Sequence, residues 1–396
     1  MAKPLQVAHL VSHPIQYFAP LYRELARRTE MDLTVYFYSD ETMRSFYDPG
    51  FGRTIEWDVP LLEGYRHIFC ESSRRAGISG NPLRRHNFDI VRELNDYDVV
   101  WAHGYAHLTA WLAFAATRLA SVPFLLREEQ TLLETRPMHR RAVKAVLLRL
   151  LMSNSWGLYI GEENRRYFEH YGVPSGRLHP ARYCVDNAYF QRQALKLRAQ
   201  RTEIRAEMGI TDDAPVVLFC GKFIPKKQPL RLVEAFAAVP EPCWLLMVGD
   251  GEQRSVVEGM CDHQVLFPGF MGQHEIVRAY AVADALVLPS AYGETWGLTI
   301  NEAMNFSLPI ITSDHVGCAA DLVKDSWNGF VVPFDDTAAL TDAIRKLVCD
   351  PALRTTFGAR SRELIESYSI EACADEIVSA CVAAAGHKRY VAEVAA

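Results

Sequence analysis

The chain has 396 residues, 49% of them hydrophobic and 23% charged, an ordinary globular composition that excludes wholesale disorder. That length exceeds what one hydrophobic core usually fills, so two domains of roughly 200 residues or fewer are expected. The formal net charge of -6 would repel a nucleic-acid backbone, so no nucleic-acid partner is expected and any anionic ligand must be held by local positive charge.

The opening MAKPLQVAHLVSHP carries one lysine and then a short apolar run ended by polar residues. It is too short for a signal sequence or a membrane span, and it predicts a cytoplasmic chain. Gln6 to Val11 reads as a buried strand, with Ser12, His13 and Pro14 in the loop that follows. Pro20 to Arg28 has helical periodicity, and Leu33 to Tyr38 reads as the next strand. Val99 to Ala102 is a third, running into His103 and Gly104, and Phe124 to Leu126 a fourth, running into Arg127, Glu128 and Glu129. Met138 to Leu151 is a basic amphipathic helix, with Arg140, Arg141, Lys144 and Arg149 against Val143, Val146, Leu147, Leu150 and Leu151. Such a helix serves either as an ordinary core-facing helix or as a peripheral contact with the anionic inner face of a membrane, which would suit a lipid-linked acceptor. Leu158 to Ile160 is the last strand of this half.

Gln191 to Met208 is polar and helix-favouring and is stopped by Gly209; the domain boundary is placed in it, giving domains 1–195 and 196–368 with a helical tail, 369–396, free by position to pack back on the first domain. The second half repeats the strand-and-helix rhythm, with strands Val216 to Cys220, Trp244 to Val248, Val265 to Phe267, Ala285 to Leu288, Ile310 to Thr312 and Phe330 to Val332. Strands alternating with helices predict two doubly wound α/β domains with parallel sheets. Nine cysteines stand singly with no CxxC pair and read as reduced, buried residues. Asp212 with Asp213, and Asp335 with Asp336, lie beside turn signals and read as helix caps, so no metal site is expected.

The most informative stretch is LVLPSAYGETWGLTINEAMNFSLPIITSD, Leu286 to Asp314: a strand, a glycine-containing loop, a helix and another strand. In open α/β sheets ligands bind beyond the carboxyl ends of strands, where a helix N-terminus offers free amides to phosphate. Gly293 and Gly297 let that backbone approach a ligand. Glu294 and Glu302 are separated by seven residues, roughly 12 Å or less along a helix, a span comparable with a sugar diphosphate between a hexose and a ribose. Glu294 would accept from sugar hydroxyls and Glu302 from a ribose diol. Two isolated glutamates read equally well as solvated residues near a helix start.

The surrounding string resembles the signature of the retaining glycosyltransferases of family 4, which have the GT-B fold. That family carries a glutamate, seven residues and a second glutamate after the same strand, and GETWGLTINEAM fits. GKFIPKKQP stands where the family has a glycine, a basic residue and a lysine five positions on, here Gly221, Lys222 and Lys227; the family usually has arginine where Lys222 stands. MVGDG, with Gly249, and LFPGF, with Gly269 and Phe270, match strand ends that line the base pocket. GVPSGRLHPARYCVDNAYF matches the run closing the first domain, and DVVWAHGY the strand whose histidine faces the cleft.

The resemblance implies two Rossmann-like doubly wound domains facing a central cleft, and transfer of a sugar from a nucleotide diphosphate-sugar to a sugar, lipid-linked or small-molecule acceptor in glycan or glycolipid synthesis. It implies Glu294, Lys222, Lys227 and His103 as catalytic residues. The donor would be held by Gly221, Gly249, Gly269, Phe270, Gly293, Thr295, Trp296, Gly297, Leu298, Thr299 and Glu302. Negative charge grows on the β-phosphate as the glycosidic bond breaks, and the lysines with the amides of Gly297, Leu298 and Thr299 would stabilise it without a metal or other cofactor. Ser12, His13 and Arg127 are candidates for the acceptor or the diphosphate loop, since Ser12 and His13 stand where relatives carry a glycine-rich loop that this chain lacks. Other readings of the same architecture are an epimerase, a phosphorylase, or a binder of nucleotide-sugar without turnover.

Overall fold

A computed structural model describes residues 3–70, 87, 89–133, 138–261 and 264–395; of Asp89, residues 138–143 and residues 389–395 only the backbone is described. Among the described residues fifteen strands run in chain order. They are β1 (Leu5–Val11), β2 (Met31–Phe37), β3 (Phe46–Asp48), β4 (Arg53–Ile55), β5 (Arg66–Phe69), β6 (Val99–His103), β7 (Phe124–Arg127), β8 (Trp156–Tyr159), β9 (Leu178–Pro180), β10 (Val216–Cys220), β11 (Trp244–Val248), β12 (Val265–Gly269), β13 (Ala285–Leu288), β14 (Ile310–Ser313) and β15 (Gly329–Val332). They fall into two compact units. The first comprises Met1–Phe46, Val59–Tyr183 and Ile370–Ala396; the second comprises Tyr47–Asp58 and Cys184–Ser369.

The first unit is built on a parallel sheet in the order β5-β2-β1-β6-β7-β8-β9. Its central strands are nearly continuous apolar runs, because helices cover both faces of a parallel sheet; Ala8, Leu10, Val100, Ala102, Leu126 and Phe168 meet in one core. The helix Ile370–Ala395 belongs to this unit and lies against the helix Phe18–Leu25 and against β1, β6, β8 and β9. Its buried face is a stripe of small residues, Cys373, Ala374, Ala380, Cys381 and Ala384 around Ile377, spaced three or four apart as one helix face requires. Ion pairs from Arg28 to Asp375 and from Arg182 to Glu376, each 3.1 Å, fix its first turns.

The second unit carries a parallel sheet in the order β12-β11-β10-β13-β14-β15, with Val217, Phe219, Leu245, Met247, Val287 and Ile311 in its core. The polar stretch after residue 187 is two helices, Asn187–Arg198 and Arg201–Glu207. Both pack on Gln273–Val282, and the first also packs on Leu298–Asn305. The second helix ends where Gly209 turns left-handed at φ 84° and Ile210 donates back to the Arg205 carbonyl at 2.9 Å, a glycine-terminated helix end. The compact units divide between Tyr183 and Cys184, upstream of the stretch where the sequence places its boundary, because these helices pack on helices of the second unit. A small hairpin, β3 with β4, brings Tyr47–Asp58 into the second unit.

Two smaller expectations need correction. Cys349 is exposed and Cys261 half-buried, so not every cysteine is interior. Asp212 caps no helix: its carboxylate accepts from the Ala214 amide at 3.1 Å and from the Trp244 indole at 2.7 Å, closing a turn. Asp336 does cap, accepting from the Ala339 amide at 2.9 Å. Among the described residues, no helix is long and apolar enough to cross a membrane, and no group of three or more His, Cys, Asp or Glu residues could hold a metal ion.

Candidate functional site

In the second unit the chemistry-bearing residues sit beyond the carboxyl ends of β10, β11, β12 and β13. After β10 the chain forms the loop Gly221 to Gln228, and after β11 the loop Gly249 to Gln253. The two loops are joined by Gly221 N–H donating to Val248 O at 3.0 Å and Phe223 N–H to Asp250 O at 2.8 Å. Gly249 is required there: at φ 137° its missing side chain would sit 1.9 Å from the Gly221 carbonyl oxygen. Gly249 N–H in turn donates to Gly269 O at 2.9 Å, so three predicted glycines line one backbone seam. Arg254, not singled out from the sequence, spans it with contacts to the Gly249 and Phe267 carbonyls at 3.5 and 3.3 Å.

Beyond β13, Glu294 makes a bridge to Val316, and Gly317 N–H donates to the Glu294 carbonyl at 2.9 Å. A side chain on Gly317 would lie 1.9 Å from Thr295 O. Gly297, left-handed at φ 105°, then starts the helix Leu298–Asn305, and no side chain caps that start. Its first-turn amides are therefore left to a ligand or to water.

The Lys227 ammonium donates to the Glu294 carboxylate, which also accepts from the Ser290 hydroxyl at 3.1 Å. Burial alone would raise the Glu294 pKa, but the charge and hydrogen bond of Lys227 outweigh it and hold the carboxyl below its usual range. Lys226 is not turned away to solvent. Its ammonium donates to the Gly293 carbonyl at 3.0 Å, and its own carbonyl accepts from Ala291 N–H at 2.8 Å. Lys222 donates to both carboxylate oxygens of Asp48 at 2.9 Å and lies 4.9 Å over the Phe51 ring. Both partners come from the hairpin. Phe270 packs edge-on to Phe51 at 4.9 Å beneath the Arg53 guanidinium.

Glu302 is 4% exposed and accepts from the buried Tyr280 hydroxyl at 2.6 Å. The Trp296 ring is buried, with its indole N–H donating to Asn301 at 2.9 Å, so the backbone, not the ring, is what this residue offers a ligand. Leu298 and Thr299 are half-buried on the first turn of the helix.

In the first unit the carboxyl ends of β1, β6, β7 and β9 collect a second cluster. Ser12 and His13 are hydrogen-bonded to each other at 2.9 Å. His103 donates from Nε2 to Glu129 at 3.2 Å, and the Phe18 ring lies 4.8 Å from its imidazole. Arg127 is 1% exposed, its guanidinium held between the Phe18 and Tyr183 rings at 5.2 and 5.1 Å and donating to Ala181 O at 3.2 Å. Glu128 is buried beside it, and burial first, with the neighbouring Glu129 charge, pushes its carboxyl up to about 7.

Asp48, Ser290, Tyr280 and Glu129 were not foreseen in these positions. Asp48, Tyr280 and Glu129 are ordinary residues remote in sequence from their partners, which only the topology joins, whereas Ser290 lies in the same loop as Glu294. Glu129 alone had a local signal, in standing two residues past a buried strand.

Residues 200–364 match the family of glycosyl transferases, group 1. That match lies within the second unit. Relatives of the chain include the alpha-D-kanosaminyltransferase of Streptomyces kanamyceticus, 30% identical over 215 residues, 52% of this chain and 54% of that protein. The phosphatidyl-myo-inositol mannosyltransferase of Mycobacterium leprae is 32% identical over 186 residues, 44% of this chain and 49% of that protein. The chain spans about half the length of these relatives. The fold is that of a solved Rickettsia africae glycosyltransferase, with a TM-score of 0.72 at 15% identity over 96% of this chain and 99% of that one. It is also that of Anabaena HepE bound to UDP and glucose, with a TM-score of 0.70 at 17% identity over 95% and 98%. The matched residues include the glutamate pair, Lys222, Lys227 and the glycine seam, on the two-sheet architecture of a GT-B fold.

Proposed function

We propose that this chain is a retaining, metal-independent glycosyltransferase that moves a sugar from a nucleoside diphosphate-sugar to an acceptor hydroxyl. The observation that carries the reading is the Lys227–Glu294 pair beside the uncapped start of the helix Leu298–Asn305. Ammonium groups and helix amides in one loop system suit a diphosphate whose charge grows as the glycosidic bond breaks. A carboxylate kept ionised there suits sugar hydroxyls as hydrogen-bond donors. Glu302, held by Tyr280, is assigned to the ribose, and Lys222 to the diphosphate once it exchanges Asp48 for phosphate. His103 is placed at the reacting centre, and the departing phosphate takes the acceptor proton. The solved HepE complex with UDP makes a uridine nucleotide the first donor class to try.

The test is transfer followed by NMR of the product's anomeric proton, with and without EDTA. The expected result is an anomeric configuration matching the donor's and turnover unchanged by chelation. An inverted product removes the retaining assignment, and turnover lost in EDTA and restored by manganese or magnesium removes the metal-independent one.

For the acceptor side we assign a peripheral membrane contact to the helix Met138–Met152. Val146, Leu147 and Leu150 are exposed around the exposed Arg149, while Leu148, Leu151 and Met152 face the core. Leu151 thus lies on the opposite side from the exposed apolar residues it was grouped with in the sequence; Arg140, Arg141 and Val143 fall outside the residues whose side chains are described. An exposed apolar stripe beside a basic residue fits an anionic bilayer surface and a lipid-linked acceptor.

A further inference from the structure

The imidazole of His103 is held from one side only. Its Nε2 lies 3.2 Å from Glu129 Oε1, while its Nδ1 is buried and has no hydrogen-bond partner among the described residues. Strand pairing sets this up: His103 stands opposite Arg127 in the β6–β7 register, and Gly104 N–H donates to Arg127 O at 2.8 Å. Glu129, two residues further, therefore reaches the ring from the neighbouring strand end. Glu129 is itself fixed. Burial would raise its pKa, but the hydrogen bond from His103 and the charge that ring carries when protonated, the hydrogen bond from the Tyr183 hydroxyl and the charge of Arg127 together hold it below the usual carboxylate range. An ionised carboxylate can only accept, so the ring nitrogen facing it must carry a proton. In the neutral imidazole the other nitrogen then bears a bare lone pair. A buried acceptor without a donor is costly and calls for a ligand hydroxyl or a water.

We infer that Glu129 is a positioning residue that fixes His103 in the Nε2–H tautomer and so presents its Nδ1 lone pair to a hydroxyl group of the substrate. The second half rests on the reading of His103 as a residue at the reacting centre. Tyr183 and Arg127 act one step further out: they hold the carboxylate that holds the ring, which gives the buried arginine a task other than binding an acceptor.

The experiment uses the full chain labelled with 15N at histidine, with the His103 signals identified by their loss in His103→Gln. Wild type is expected to show a protonated Nε2 and an unprotonated Nδ1. Glu129→Leu should shift the tautomer balance and lower kcat on the order of 100-fold, the scale of a misplaced reacting group, with little change in donor KM. Glu129→Gln, which keeps an oxygen acceptor, should restore the Nε2–H signature and much of the turnover. A circular dichroism spectrum matching wild type is required of each variant; a Leu variant that fails it is replaced by Glu129→Gln with its amide orientation read from the same spectra. A proton found on Nδ1 in wild type, or a tautomer unchanged in Glu129→Leu, overturns the role of Glu129. A switched tautomer with unimpaired turnover, together with an active His103→Gln, overturns the presentation to substrate and the placement of His103 with it.

Discussion

Lys226 and Lys227 are adjacent, yet one holds a backbone carbonyl and the other the Glu294 carboxylate. If Lys227 touches the β-phosphate, Lys227→Ala removes an interaction that strengthens as the glycosidic bond breaks, so kcat falls more than donor affinity. By analogy with losing one preorganised oxyanion donor, the loss is expected to be on the order of 100-fold to 1000-fold, measured at saturating donor. Because Lys226 tethers the Gly293 turn, it cannot serve as a neutral control; Lys346, half-exposed, paired with Asp342 on its own helix and lying 5.4 Å over the Phe330 ring, takes that place. Glu128 makes a different prediction at the same scale. Its carboxyl titrates near 7 in the folded chain against about 4.5 when exposed. The folded state therefore binds more protons between those values, and stability contributed by this group is present at low pH and lost as pH rises toward 7. Glu128→Gln should raise the melting temperature at pH 8 and flatten its fall between pH 5 and 7, as read by a thermal scan across that range. An unchanged pH profile would show that the group titrates as it does in water.

At the scale of elements, the β3–β4 hairpin is the feature that most alters the reading of the site. Asp48 neutralises Lys222 through both carboxylate oxygens and is tied to the turn by the Gly50 and Phe51 amides at 2.8 and 3.2 Å. A diphosphate must displace or bridge that carboxylate. Asp48→Asn keeps the amide contacts but removes the charge, so nucleoside diphosphate should bind several-fold more tightly, on the order of 1 kcal/mol, by calorimetry. Weaker binding would show that Asp48 orients Lys222 for the phosphate. The hairpin also marks where sequence reading stops. The sheet strands that were legible, such as β10, β11 and β13, are uninterrupted apolar runs that a parallel sheet buries on both faces. Phe46–Asp48, Arg53–Ile55 and Leu178–Pro180 are three-residue strands with polar, partly exposed positions, and no periodicity can emerge over three residues. The site divides in the same way. Glu294, Gly297 and Lys227 lie in a local strand-loop-helix pattern. Asp48, Tyr280 and Glu129 meet partners distant in sequence, which only the tertiary fold brings together.

For the whole molecule, the membrane assignment yields a prediction that concerns association and not chemistry. Full-length protein should co-sediment with vesicles containing anionic lipid and less with neutral ones, since apolar burial and electrostatic attraction act together. Replacing Val146, Leu147 and Leu150 with serine should abolish sedimentation without lowering the melting temperature, because these side chains are solvent-exposed. Binding that survives the triple change would place the contact elsewhere.

The interleaving of the two units along the chain has a consequence for synthesis. The chain passes from one unit to the other at residues 46, 58, 183 and 369, so neither unit is a contiguous stretch of the chain. A ribosome moving from the N-terminus lays down the seven strands of the first sheet early. It supplies Ile370–Ala395, the helix that covers the Phe18–Leu25 helix and its neighbouring strands, only after the entire second sheet has been made. For most of translation the first half carries an apolar face awaiting its cover. Vectorial folding of this protein is thus a problem of keeping one finished sheet from finding the wrong partner while another is still being built.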